Sequence, residues 1–220
     1  MAIDHGADAL GLVGAMPSGP GVIGDREIAA ISASIGPPVA SFLLTSETGP
    51  EAIVDHVRRC GTGVVQLVDR IAPKTYVELR AALPGTKLVQ VVHVAGPESV
   101  DEAAGVAPLV DAILLDSGRP GAGVKILGGT GRVHDWDVSR RIVETTEVPV
   151  FLAGGLRPDN VAEAIRHVRP FGVDLCTGVR TDGRLDPAKL RAFVDAVNGS
   201  QAGPPEPRQD DLGRDTVAHR

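Results

Sequence analysis

A stretch from Leu127 to Trp136, LGGTGRVHDW, puts three glycines and a threonine side by side before the chain returns to bulky residues. Bare backbone of this kind lets main-chain N–H groups close on an anion such as a phosphate, and it also makes an ordinary surface turn. Two further clusters repeat the theme, Gly154-Gly155 in AGGLRPDN and Thr177-Gly178 in CTGVR. These two junctions could point amides at one phosphate, assisted by the start of a helix. Asp116 ends the apolar run AILLD. A carboxyl there needs water, a partner or a ligand. It serves either as an acceptor for neighbouring loop amides or as a general acid or base whose proton affinity a sheltered site can raise. Gln66 is a polar residue inside the apolar run GVVQLV. His93 reads as a hydrogen-bonded core histidine, and Cys176 as a small core residue. Asp135 and His134 read as caps of the next helix, and Trp136 as packing against the wall.

These residues must be positioned by something, and the chain shows what. Short apolar runs recur at residues 7–14, 39–45, 63–68, 87–94, 111–117, 148–155 and 172–178. Most are nearly continuous, as in parallel strands covered on both faces. Segments with helical spacing lie between them, among them GPEAIVDHVRRC, APKTYVELRAAL, GPESVDEAAGVA, RPDNVAEAIRHV and LDPAKLRAFVDAV. Several carry Pro and acidic residues near the start, where a helix N-terminus favours them. Repeated β–α units give an α/β fold with a parallel sheet, whose ligands gather at the carboxyl ends of the strands. Seven strands suit an open sheet directly, whereas an eight-stranded barrel needs one more. Residues 1–198 form one domain in this reading. Residues 199–220, rich in Pro, Gly and charge, form a disordered tail.

Bulk properties exclude several function classes. The 220 residues carry a net charge of −6 and no basic block, which argues against nucleic acid or an anionic membrane as partner. No apolar run is long enough to span a bilayer, and the N-terminal MAIDHGADALG has no signal-peptide pattern. The two cysteines, Cys60 and Cys176, match no metal or redox spacing and read as reduced thiols in a cytoplasmic protein.

The order GADALGLV, Pro17-Ser18, VVQL, AILLDS, GGTGRVHDW, LAGGLRPDNVAEAI and GVDLCTGV resembles the phosphoribosylanthranilate isomerase family through most of the chain. The resemblance implies a (β/α)8 TIM-type barrel acting on a phosphosugar, N-(5-phosphoribosyl)anthranilate, by an Amadori rearrangement in tryptophan biosynthesis, with no cofactor and no metal. It implies Asp116 as the general acid. It also implies that Gly129, Gly154, Gly155, Thr177 and Gly178 bind phosphate, with Gln66 as a polar lining residue. The chain departs from the pattern in three places. The family's first strand, with a Lys-Ile-Cys-Gly segment bearing the general base, has no counterpart in residues 1–220, so the barrel is expected to lack its first β/α unit and activity to be weak. Gly19-Pro20-Gly21 stands where an arginine follows Ser-Pro, and Val68 stands where the family has histidine. The runner-up is a non-catalytic or divergent phosphosugar-binding barrel. A histidine-pathway isomerase or a thiamin-phosphate synthase relative fits the motif order less well. A monomer or homodimer is expected.

Overall fold

Parallel pairing organises the chain. The computed structural model describes residues 1–17, 21–117 and 135–201. Seven strands lie side by side in chain order: β1 (Ala9–Val13), β2 (Ala40–Thr45), β3 (Val64–Leu67), β4 (Lys87–His93), β5 (Ala112–Asp116), β6 (Val150–Leu152) and β7 (Gly172–Val173). Every neighbouring pair is parallel. Crossovers are made by α1 (Asp25–Ser34), α2 (Pro50–Cys60), α3 (Pro73–Ala82), α4 (Glu98–Val106), α5 (Trp136–Thr145) and α6 (Val161–Val168). The expected α/β architecture is therefore present, with each strand inside its apolar run.

The helices begin and end where their residues require. Pro50 occupies the first turn of α2 and Glu51 favours its positive end, while Gly61, at φ 64°, donates its N–H to Val57 O over 2.8 Å and stops it. Asp135 caps α5, its side chain accepting from the amides of Asp137 and Val138, as the sequence predicts. Trp136 packs partly buried against the main core, also as predicted.

Period-two alternation builds two apolar layers from each strand. Leu43, Val65, Leu67, Leu88, Ile113, Leu115 and Leu152 face the helices. Val64, Val89, Val91, Ala112 and Leu114 face the other way and join Phe42 and Phe151 in a second cluster. Phe42 on β2 and Phe151 on β6 stand edge to face with ring centroids 6.4 Å apart. In a flat sheet those strands would be separated by four spacings, about 19 Å. The sheet therefore curls strongly around this second cluster, as in a TIM-type fold. Among the described residues no ladder joins β1 to β7, which are the two edges.

Three details differ from expectation. β7 is shorter than its run, because the chain leaves the sheet after Val173 and enters a 3-10 turn at Thr177–Val179. A small antiparallel hairpin follows, β8 (Arg180–Thr181) and β9 (Arg184–Leu185). Its two central residues, Asp182 and Gly183, have φ of 50° and 75°, as a tight two-residue turn demands. The last helix, α7 (Pro187–Gln201), continues past residue 198. The tail beyond it lies outside the described residues.

Candidate functional site at the carboxyl ends of the strands

Strand alternation brings the polar residues to the concave side of the sheet. Gln66 shares that face with Val64 and is buried. His93 and Asp116 are direct partners across the β4–β5 ladder. The His93 ring is fixed by Nε2, which lies 3.0 Å from Val68 O, so that nitrogen carries the proton. This is the core histidine the sequence predicts. Asp116 is 9% exposed, and its Oδ1 accepts the Ser117 amide over 2.7 Å. The reading of Asp116 as an acceptor for loop amides is thus realised, and the rest of its surroundings go further.

Gly154 adopts φ 83°, and a Cβ placed there would lie 2.9 Å from the Ser117 amide nitrogen and 3.1 Å from Asp116 Oδ1. Only a residue without a side chain lets the loop after β6 pass so close to the carboxyl. Gly155 has φ 69°. Asn160 then holds the turn, accepting the Arg157 amide at 2.8 Å and donating to Gly155 O at 3.0 Å. A Cβ at Gly178 would be 2.0 Å from Leu156 O, so the loop after β7 rests directly on the loop after β6. Gly154 therefore lies beside Asp116, and the loop carrying Thr177 and Gly178 packs on the loop that follows Gly154-Gly155. Gln66 is on β3, further along the same face. Gly129, with the whole Leu127–His134 segment and Gly19-Pro20, lies outside the described residues. Val68, where the resemblance expects histidine, is buried in the concave cluster. Both cysteines are free thiols.

One mouth residue escaped the sequence reading. Asp174 follows β7, its amide bonded to Leu152 O at 2.9 Å, and its carboxyl interacts with that of Asp116. Surrounding protein and then the Asp116 charge push the Asp174 carboxyl up to about 6, opposed by the Leu175 amide. Asp174 is nonetheless an exposed residue, so water screens much of that burial, and what its surroundings set is the upward direction. The signal was available: GVD ends an apolar run with an acid just as AILLD does.

A curled parallel sheet with helices outside and carboxyls framed by glycine turns at its carboxyl ends defines a TIM-type barrel protein. The family model described as N-(5'phosphoribosyl)anthranilate (PRA) isomerase matches residues 46–196. The N-(5'-phosphoribosyl)anthranilate isomerase of Methanocella arvoryzae is 36% identical over 193 residues, covering 87% of this chain and 88% of the relative. The crystal structure of the phosphoribosyl anthranilate isomerase of Thermotoga maritima superposes with a TM-score of 0.76 at 27% identity, covering 90% of this chain and 91% of that one. A phosphoribosyl anthranilate isomerase in complex with reduced 1-(o-carboxyphenylamino)-1-deoxyribulose 5-phosphate gives a TM-score of 0.74 at 25% identity, covering 90% and 91%. The chain belongs to the N-(5'-phosphoribosyl)anthranilate isomerase family. Among the described residues no helix is long and apolar enough to cross a membrane.

Proposed function

We propose that this protein isomerises N-(5-phosphoribosyl)anthranilate to 1-(2-carboxyphenylamino)-1-deoxyribulose 5-phosphate, the Amadori step of tryptophan biosynthesis. The observation that carries the reading is the meeting of Asp116, Asp174 and the Gly154 and Gly178 turns at one mouth, in a chain of this family. The amides of the Gly154-Gly155 and Thr177-Gly178 turns take the substrate phosphate. Asp116 then faces the ribose and passes to its ring oxygen the proton that the neighbouring Asp174 holds at the mouth. The ring opens to a Schiff base; Asp116, left ionised by its donation, is the one acceptor placed among the described residues for the C2′ proton, and the resulting enolamine tautomerises to the ketone, so the substrate is neither oxidised nor reduced overall. Asp174 keeps a proton at the mouth to higher pH than a solitary carboxyl would, which suits a site that must protonate an ether oxygen near neutrality.

The test follows substrate consumption by anthranilate fluorescence with the 220-residue chain and its Asp116→Asn variant. A positioned acid contributes roughly 10²–10⁴-fold, so turnover should fall by that factor while the reduced product analogue still raises the melting temperature. Turnover unchanged in Asp116→Asn removes Asp116 from the chemistry. Stabilisation by the analogue with no turnover in the unsubstituted chain makes this a phosphosugar-binding protein instead.

A further inference from the structure

Away from the mouth, where β1 and β2 meet α1 and α2, three side chains of different chemistry converge. His56 and Cys60 are one turn apart on α2 and so share a face. Asp25 opens α1 opposite them. One ligand atom from each lies within 4.8 Å of the other two. His56 is 4% exposed and Cys60 fully buried. Thr45 Oγ1 is 2.9 Å from His56 Nδ1 and fixes the ring. A Cβ at Gly14 would lie 2.5 Å from Cε1, so the ring also depends on bare backbone beside it. Nε2 faces Asp25 Oδ1 at 3.2 Å, an ion-pair contact and not a formed hydrogen bond. Asp25 Oδ2 is occupied by Arg59 Nε at 2.7 Å, while Oδ1 stays turned toward the imidazole.

We propose that Asp25, His56 and Cys60 form a binding site for a borderline divalent cation, Zn²⁺ foremost, that ties α1 to α2 behind β1 and β2. A deeply buried imidazole nitrogen that faces a carboxylate oxygen, with a thiol within 4.8 Å, is the donor set such ions select, whereas Mg²⁺ and Ca²⁺ prefer oxygen alone. Three protein ligands leave a fourth position for water. Metal–ligand bonds of about 2.0–2.3 Å put tetrahedral donors roughly 3.3–3.8 Å apart, so the cluster closes by about an ångström. With Nδ1–H donating to Thr45 Oγ1, Thr45 is the outer partner that leaves the Nε2 lone pair for the ion. Asp25, with a side chain 34% exposed, provides the access route. Coordination releases the Cys60 proton to solvent. The thiolate and the Asp25 carboxylate then balance the ion's two charges, with Arg59 and nearby Asp55 outside.

The full chain, stripped with a chelator, is titrated with Co²⁺ and then with competing Zn²⁺. One Co²⁺ should bind per chain with thiolate-to-cobalt charge-transfer absorption that Zn²⁺ displaces. That absorption should survive Cys176→Ser and vanish in Cys60→Ser. Asp25→Asn should weaken binding at least about tenfold, and Thr45→Val by roughly 10–100-fold as an outer-partner loss. Should Cys60→Ser fail to fold, the part-exposed Asp25→Asn carries the test, with folding verified by circular dichroism. No saturable Co²⁺ binding to the folded chain, absorption lost with Cys176, or affinity indifferent to Asp25→Asn would each overturn the site.

Discussion

Asp111 and Asp116 flank the two ends of β5, and their surroundings are opposite. Asp111 accepts the Leu88 amide at 2.8 Å, Lys87 Nζ at 3.0 Å and Arg80 Nη1 at 2.5 Å. Burial alone would raise its carboxyl, but these donors outweigh it and hold Asp111 below the ordinary carboxylate range. At the other end a second acid, Asp174, stands near Asp116 and is pushed upward. One end surrounds an acid with cations and amides, which is what a structural anchor needs. The other sets acid beside acid, which holds a proton at the mouth. In barrels of this type the N-terminal face of the strands serves stability and the carboxyl face serves chemistry.

Substitutions that ignore this division should show it. Asp116→Asn, at the mouth, has the largest expected effect, the loss of turnover described above. Gly154→Ala comes next. It forces a side chain into a left-handed backbone conformation and against the Ser117 amide, displacing Asp116. A misplacement of an ångström at a reacting group costs about 10²-fold, so kcat/KM should fall by roughly that factor. Steady-state kinetics decide it, and unchanged kinetics would mean that the close approach has no catalytic consequence. Asp111→Ala should do the reverse. Leaving Arg80, Lys87 and the Leu88 amide without their acceptor should cost about 1–3 kcal/mol in urea unfolding, with kcat preserved below the unfolding transition.

The smallest effect is in pH dependence, and its sign differs between the two ends. Asp111, lowered in the folded state, contributes stability present above its unfolded value of about 3.9 and lost as pH falls through its folded value. Asp174, raised in the folded state, contributes stability present below about 3.9 and lost as pH rises through about 6. Asp174→Asn should therefore match the unsubstituted protein least well near neutral pH, where it gains relative stability, and the gap should narrow toward pH 4. Melting temperatures at a few pH values check this. Parallel curves would show that Asp174 ionises alike in folded and unfolded chains.

The strands were legible because both their faces are covered, so Val, Leu and Ile run almost without interruption. Helix starts were legible from Pro50 and Asp135, whose chemistry fits a first turn or a cap. The Thr181-Asp182-Gly183-Arg184 hairpin carried a plain Asp-Gly signal that strand counting passed over. The apolar run GVDLCTG overstates β7, because nothing local tells where the chain leaves the sheet. Asp174 went unrecognised for a related reason. Its meaning depends on Asp116, two strands away, and that closeness is a product of the β5–β6–β7 order and the curl. Gly178 was read as a phosphate residue, yet its contact with Leu156 O also makes it the joint between two loops. His56 and Cys60 show helical spacing in the sequence, but Asp25 completes their cluster only through the packing of α1 on α2.

The acid pair at the mouth is tested most directly by ¹³C NMR titration of the aspartate carboxyls. Asp174 should titrate above the ordinary carboxylate range in the unsubstituted protein and move down in Asp116→Asn, while Asp111 stays below that range in both. An Asp174 that titrates like a solvated carboxyl, or that does not respond to Asp116→Asn, would contradict the pairing on which the catalytic reading rests.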